Sequence, residues 1–98
     1  MITIIANHVI NENQAENANA VFRRVSDSVK EAAGFITRQV LAVQGDPRKV
    51  TTIMTWKSLE TYNEWRPTLD LTPEYRHQLF ASEIVTFHDV DHLLSGQA

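Results

Sequence analysis

Between Trp56 and Trp65 the chain changes its periodicity, and that change restricts the fold more than any other stretch does. Ahead of it, Val50-Thr51-Thr52-Ile53-Met54-Thr55-Trp56 is rich in β-branched side chains, which suit a pleated strand better than a helix. After Trp56 the signals become helical. Ser58 can accept a hydrogen bond from a first-turn N–H, and the charge of Glu60 complements the positive start of a helix. Trp65 closes that helix just before Arg66-Pro67, because a residue preceding proline is pushed away from helical dihedrals. A strand thus feeds a short helix whose last residue is a large amphipathic ring, placed to roof a pocket.

The chain has 98 residues, 43% of them hydrophobic and 21% charged, which describes one domain spanning residues 1–98. A domain of this size buries only about two-thirds of its unfolded surface, so association is a source of further burial. The formal charge is -3, and no basic run exceeds Arg23-Arg24 or Arg48-Lys49. That excludes the electrostatic footprint of a nucleic-acid partner. Cysteine is absent, which removes disulfides, thiolate nucleophiles and iron–sulfur sites. The apolar N-terminal run is short and lacks a basic leader, so the expectation is a soluble, cytoplasmic protein with no membrane partner.

Ile2 to Ile10 reads as a strand with apolar residues in both alternating sets. Asn13 followed by Glu16 has capping-box spacing, and Ala18, Val21, Phe22, Val25, Val29, Ala32 and Ala33 then recur at helical intervals up to Gly34. Phe35 to Val43 is the next strand, and Gln44 to Lys49 supplies the turn into the strand ending at Trp56. The second helix breaks around Pro67 to Leu71. Thr72-Pro73-Glu74 caps a third helical piece running to about Phe80, and Glu83 to His92 is the last strand. The order βαββαβ predicts an α+β, ferredoxin-like fold with an antiparallel sheet. Helices would cover one face, and the other face would need a second copy of the chain.

With these elements in place, the chain resembles the antibiotic biosynthesis monooxygenase family of dimeric α/β barrels. The resemblance spans nearly the whole chain. It is carried by Ile4-Ile5-Ala6-Asn7, Ala33-Gly34-Phe35, Thr55-Trp56-Lys57-Ser58 and Thr72-Pro73-Glu74-Tyr75. The resemblance implies a homodimer with a pocket in each protomer between sheet and helices, lined by an Asn of the first strand and a Trp of the second helix. Asn7 and Trp65 match those positions. It also implies, in the cofactor-independent members, a phenol or hydroquinone that reacts with O2 once deprotonated, with no metal or flavin. In haem-degrading relatives, a second-helix histidine is the proximal iron ligand.

Asn7 is a polar amide in an apolar strand, and a buried amide without partners costs about 1–3 kcal/mol, so something must pair with it. The choice is between a substrate oxygen and a structural hydrogen bond. Trp65 suits stacking on a flat aromatic molecule, and Tyr62 shares its helical face; the alternative for both is core packing. Trp56, at a strand end, is expected to be structural. His77 is the candidate iron ligand, but it stands two residues from Tyr75, about 200° around a helix, and the next turn of the Tyr75 face carries Leu79. Tyr75 and Leu79 are counted with Tyr62 as substrate contacts. His88 and His92, with Asp89 and Asp91, share a strand face about 13 Å apart, too far to hold one metal. His8 lies on the face opposite Asn7, toward the expected dimer interface, and is given no catalytic role.

No serine–histidine–acid spacing or phosphate-binding glycine loop occurs, and the chain has three glycines in all. Three readings follow. In the first, a cofactor-independent monooxygenase acts on a small aromatic or quinol-type molecule, with Asn7 orienting the reacting oxygen, Trp65 and Tyr62 walling the pocket, and Tyr75 or His77 moving a proton. The second is a haem-degrading enzyme with His77 as ligand. The third is a non-enzymatic binding module whose pocket is collapsed around Trp65.

Overall fold

The computed structural model describes residues 1–92. The elements are β1 (Ile2–Ile10), α1 (Ala15–Val29), β2 (Phe35–Val43), β3 (Asp46–Trp56), α2 (Leu59–Trp65), a 3-10 turn (Arg66–Leu69), α3 (Pro73–Leu79) and β4 (Phe80–Asp89). The four strands form one antiparallel sheet in the order β2-β3-β1-β4. This is the ferredoxin-like arrangement that the sequence order predicts, with β1 and β3 central.

Strand pairing assigns the two sheet faces. Ile2, Ile4, Ala6, His8 and Ile10 of β1 are buried, and they neighbour Trp56, Met54, Thr52 and Val50 of β3, buried as well. The helices cover this face. Helix α1 lays Ala18, Val21, Phe22, Val25 and Val29 on it, one stripe at helical spacing. The remaining set, Thr3, Ile5, Asn7 and Val9 with Thr51, Ile53 and Thr55, forms an open face that no helix covers.

Several boundaries differ from those expected. Asn13 does not cap α1: it takes a left-handed φ of 64°, Gln14 is the N-cap, and Asn17 donates to the Gln14 side chain instead. Helix α1 stops at Val29, and a turn follows, closed by bonds from the Ala32 and Phe35 amides to the carbonyls of Val29 and Ala32. Gly34 belongs to that turn, at φ 87°. A Cβ there would lie 2.6 Å from the Thr61 side chain, so only glycine admits this approach of the turn to α2.

The hairpin turn is Gln44-Gly45 alone, and β3 begins at Asp46. Arg66 keeps helical dihedrals despite the proline after it, so α2 continues into the 3-10 turn and ends at Asp70, which has φ 52°. The Thr72 hydroxyl accepts from the Tyr75 amide to start α3, and β4 begins directly at Phe80 and ends at Asp89, short of His92. Asn11 ties the end of β1 to α3: its side chain donates to the His77 and Gln78 carbonyls, and its amide to that of Leu79.

Candidate active site

A cavity of about 100 Å³ lies between the covered sheet face and the helices. Its wall is mostly apolar and aromatic, with Phe22 from α1, Met54 from β3, Tyr62 and Trp65 from α2, and Leu79 and Phe80 from the α3–β4 corner. Trp65 and Tyr62 stand on Trp56, which is fully buried beneath them, with ring centroids 5.2 and 5.9 Å away. The indole N–H groups of Trp56 and Trp65 are buried without an acceptor among the described residues.

A polar chain crosses one wall. Arg76 of α3 grips Glu83 of β4 with two parallel bonds, Nε to Oε1 and Nη2 to Oε2, both 3.0 Å. Glu83 Oε2 lies 2.9 Å from His8 Nδ1, and His8 Nε2 lies 3.1 Å from the Thr52 hydroxyl. Burial works to raise the Glu83 carboxyl. The hydrogen bonds from His8 and Arg76, helped by their charges, outweigh it and hold the group below its ordinary value. Glu83 is therefore a carboxylate and can only accept, so His8 Nδ1 donates to it, and in the neutral imidazole Nε2 is left to accept from the Thr52 hydroxyl. Phe22 and Phe80 flank the imidazole at 5.2 and 5.0 Å.

Two further guanidinium groups reach the cavity. Arg38 of β2 donates from Nε to the Ser26 hydroxyl and has no carboxylate partner among the described residues; burial lowers it from its ordinary value to about 10. Arg66 also lines the cavity and makes no ion pair among the described residues. The Tyr62 hydroxyl is raised by burial, with the charge of Arg76 opposing. The cavity thus has an excess of fixed positive charge in an acidic protein, an environment that favours an anionic form of whatever occupies it.

The carboxylate–imidazole–hydroxyl connectivity matches that of a hydrolase triad, but acyl transfer also needs an oxyanion hole. Thr52 sits on a central strand, paired with Ala6 and Val40 on its two sides, so the backbone donors beside it are committed to the sheet.

The sequence-chosen residues divide. Trp65, Tyr62 and Leu79 line the cavity. Asn7 does not: it is exposed on the open face, where its carbonyl oxygen accepts from the Thr51 hydroxyl at 2.8 Å. The pleat places even-numbered β1 residues inward, so the inward polar residue is His8, which was expected at the interface. His77 is exposed on the outer side of α3, and Tyr75 is 36% exposed and outside the cavity. Glu83, Arg76 and Arg38 were not singled out at all. Among the described residues no histidine, cysteine and carboxylate cluster could hold a metal, and no helix is long and apolar enough to cross a membrane.

An α+β chain with an open sheet face and a pocket under its helices is of the ferredoxin-like class. The profile of antibiotic biosynthesis monooxygenase matches residues 1–77, and the chain belongs to that family. Among solved structures it is similar to PA3566 from Pseudomonas aeruginosa, with 13% identity, a TM-score of 0.77 and coverage of 93% and 94% of the two chains. It is also similar to SnoaB from Streptomyces nogalater, described as a cofactor-independent oxygenase, with 12% identity, a TM-score of 0.75 and 97% of each chain covered. MhuD, solved with two manganese protoporphyrin IX molecules per active site, matches at 15% identity and a TM-score of 0.70, over 98% of this chain and 100% of that one. No protein of curated function matches the sequence.

The residues here do not fit a haem. His77 faces away from the cavity, and His8, the histidine that lines it, has hydrogen bonds at both ring nitrogens.

The Glu83 clamp makes stability depend on pH. A carboxyl lowered in the fold contributes stability that is fully present above its unfolded value, about 4.3, and lost as pH falls through the lower folded value. Thermal melts of wild type and Glu83→Gln from about pH 6 to about pH 3 are expected to show a gap that narrows towards acid. A gap independent of pH would remove the carboxylate from this account.

Proposed function

We propose that this protein is a cofactor-independent monooxygenase acting on a small phenolic or quinol-type aromatic, and that it works as a homodimer. The observation that carries the reading is the aromatic-walled cavity with a titratable wall, His8–Glu83–Arg76, and two arginines without carboxylate partners among the described residues. A flat ring stacks on Trp65 and Tyr62, and its ionised hydroxyl is stabilised by the guanidinium groups. Deprotonation makes the ring electron-rich enough to react with O2 directly. For a substrate with a CH2 opposite the hydroxyl, the carbon loses two hydrogens and gains one oxygen atom, while the second oxygen leaves as water. That balance needs no added reductant.

Family membership and the fold shared with SnoaB support this reading. A binding module with a collapsed pocket is less well supported, because Trp65 borders open space. The test is O2 consumption by chelator-treated protein given 1,8-dihydroxy-9-anthrone. The expected result is one O2 per carbonyl formed, without peroxide release, and a raised KM in Trp65→Ala. A rate equal to the protein-free reaction, repeated with 1,4-naphthohydroquinone, would overturn the proposal.

The dimer forms through the open sheet face. That face joins Ile5, Val9 and Ile53 to Leu41 of β2 and Ile84 of β4, which are 46% and 63% exposed.

A further inference from the structure

We infer that His8 Nε2 is the proton acceptor that ionises the substrate hydroxyl, with Glu83 positioning it and Thr52 passing the proton. This rests on the phenol-binding reading above and assigns it a base.

A buried histidine is ordinarily a satisfied core residue, and three observations point beyond that. First, Glu83 does not need His8 as a counter-charge, because Arg76 already binds both carboxylate oxygens. The imidazole is an additional member of a neutralised pair. Second, the carboxylate fixes the direction of one bond, and for the neutral imidazole the other follows. The carboxylate takes the Nδ1 proton, which leaves the Nε2 lone pair towards the Thr52 hydroxyl at 3.1 Å, on the wall of the cavity. A hydroxyl is a rotor that can both donate and accept, so Thr52 donates to Nε2 at rest and can turn to accept once Nε2 is protonated. Third, the imidazolium formed would be compensated. An isolated buried cation is costly, whereas this one would stand 2.9 Å from a carboxylate.

The charged and titratable groups around it are Glu83 from β4, Arg76 from α3, Tyr62 from α2, Arg66 from the 3-10 turn and Arg38 from β2; α1 presents Val21, Phe22 and Val25 to the cavity. None of these others is a ready base. Glu83 is held by Arg76, and the Tyr62 hydroxyl is pushed up by burial.

The proton passes through the Thr52 hydroxyl that holds Nε2. The substrate O–H bond breaks with its electron pair left on the phenolate oxygen, its proton bonds to Thr52 Oγ, and the Thr52 proton passes to Nε2. When the oxygenated carbon later expels hydroxide, that proton completes the water.

The test separates ionisation from binding by using 4-nitrophenol, whose anion absorbs in the visible. The titration is run at a pH where the free probe is mostly neutral. Bound to wild type, its ionised-to-neutral ratio is expected to exceed that of the free probe by about tenfold or more, equivalent to one pKa unit. In His8→Gln the guanidinium groups remain but the acceptor is gone, and the probe is expected to bind with that ratio reduced about tenfold from wild type. Binding as the neutral phenol in wild type, or with an unchanged ionised fraction in His8→Gln, would overturn the assignment to His8 and leave the phenol pocket standing. Failure of wild type to bind the probe would overturn both. If His8→Gln does not fold, imidazole ¹⁵N NMR on the wild type decides: Nδ1 alone is expected to be protonated without probe, and both nitrogens with it. An unchanged Nε2 signal in the saturated complex would refute the transfer.

Discussion

Trp56→Ala is expected to destabilise the protein by about 3–5 kcal/mol, the usual cost of emptying a large aromatic site. Trp56 is fully buried at the end of β3, with Phe35 edge-on at 5.7 Å, Tyr62 edge-on at 5.9 Å and Trp65 tilted at 5.2 Å. These neighbours come from β2 and α2, so the cavity left behind is bounded by two elements that cannot both move in without breaking their own contacts. Sheet pairing holds Phe35 opposite Trp56, and the Ser58 cap fixes the start of α2 two residues later. In a domain of this size, each kcal/mol shifts the melting midpoint by about 4–8 °C, so a fall of roughly 12–40 °C is expected in a circular-dichroism melt. A fall of only a few degrees would mean that Tyr62 and Trp65 collapse into the space. The cavity wall would then have to be redrawn, because the same two rings form it.

Trp56 also shows why the fold was legible. The β-branched run before it, the Ser58 cap after it and the apolar stripe of α1 are local signals, each tied to a backbone conformation within a few residues. The site was less legible because it depends on facing and on distant partners. β1 carries isoleucine or valine in both alternating sets, so its periodicity alone does not say which set turns inward. Asn7 and His8 differ by one residue, and in a strand one residue exchanges the faces. A usable signal was present, since the set containing Thr3 and Asn7 is the more polar of the two.

Nothing local marks Glu83 as the partner of His8, 75 positions earlier; that contact exists only once β4 has paired with β1. His77 shows the opposite case. Helical geometry alone separates it from the Leu79 face, and Leu79 is 1% exposed while His77 is on the surface.

Ile84→Lys is expected to turn the proposed dimer into a monomer while leaving the protomer intact. The substitution is chosen because Ile84 is 63% exposed in the protomer, so a lysine there costs the isolated fold little, within about 0.5 kcal/mol. In the dimer the same position is opposite Asn7 on the open face, and an unpaired ammonium pressed against a second apolar sheet loses its water without compensation. Strands of nine to eleven residues, four abreast at about 4.8 Å, give a face of roughly 19 by 30 Å, on the order of 600 Å² before side-chain relief is counted. That approaches the roughly 800 Å² per partner that stable complexes bury. Light scattering at micromolar concentration should give twice the 11.2 kDa protomer mass for wild type and the single mass for Ile84→Lys. Ile53→Lys, at the centre of the face between Ile5 and Gln39, should do the same. A monomeric wild type would overturn the dimer, and a variant that dimerises as tightly as wild type would place the association elsewhere. Because His8, Glu83 and the cavity lie on the covered side of the sheet, the monomeric variant should still bind 4-nitrophenol, which would separate assembly from the site.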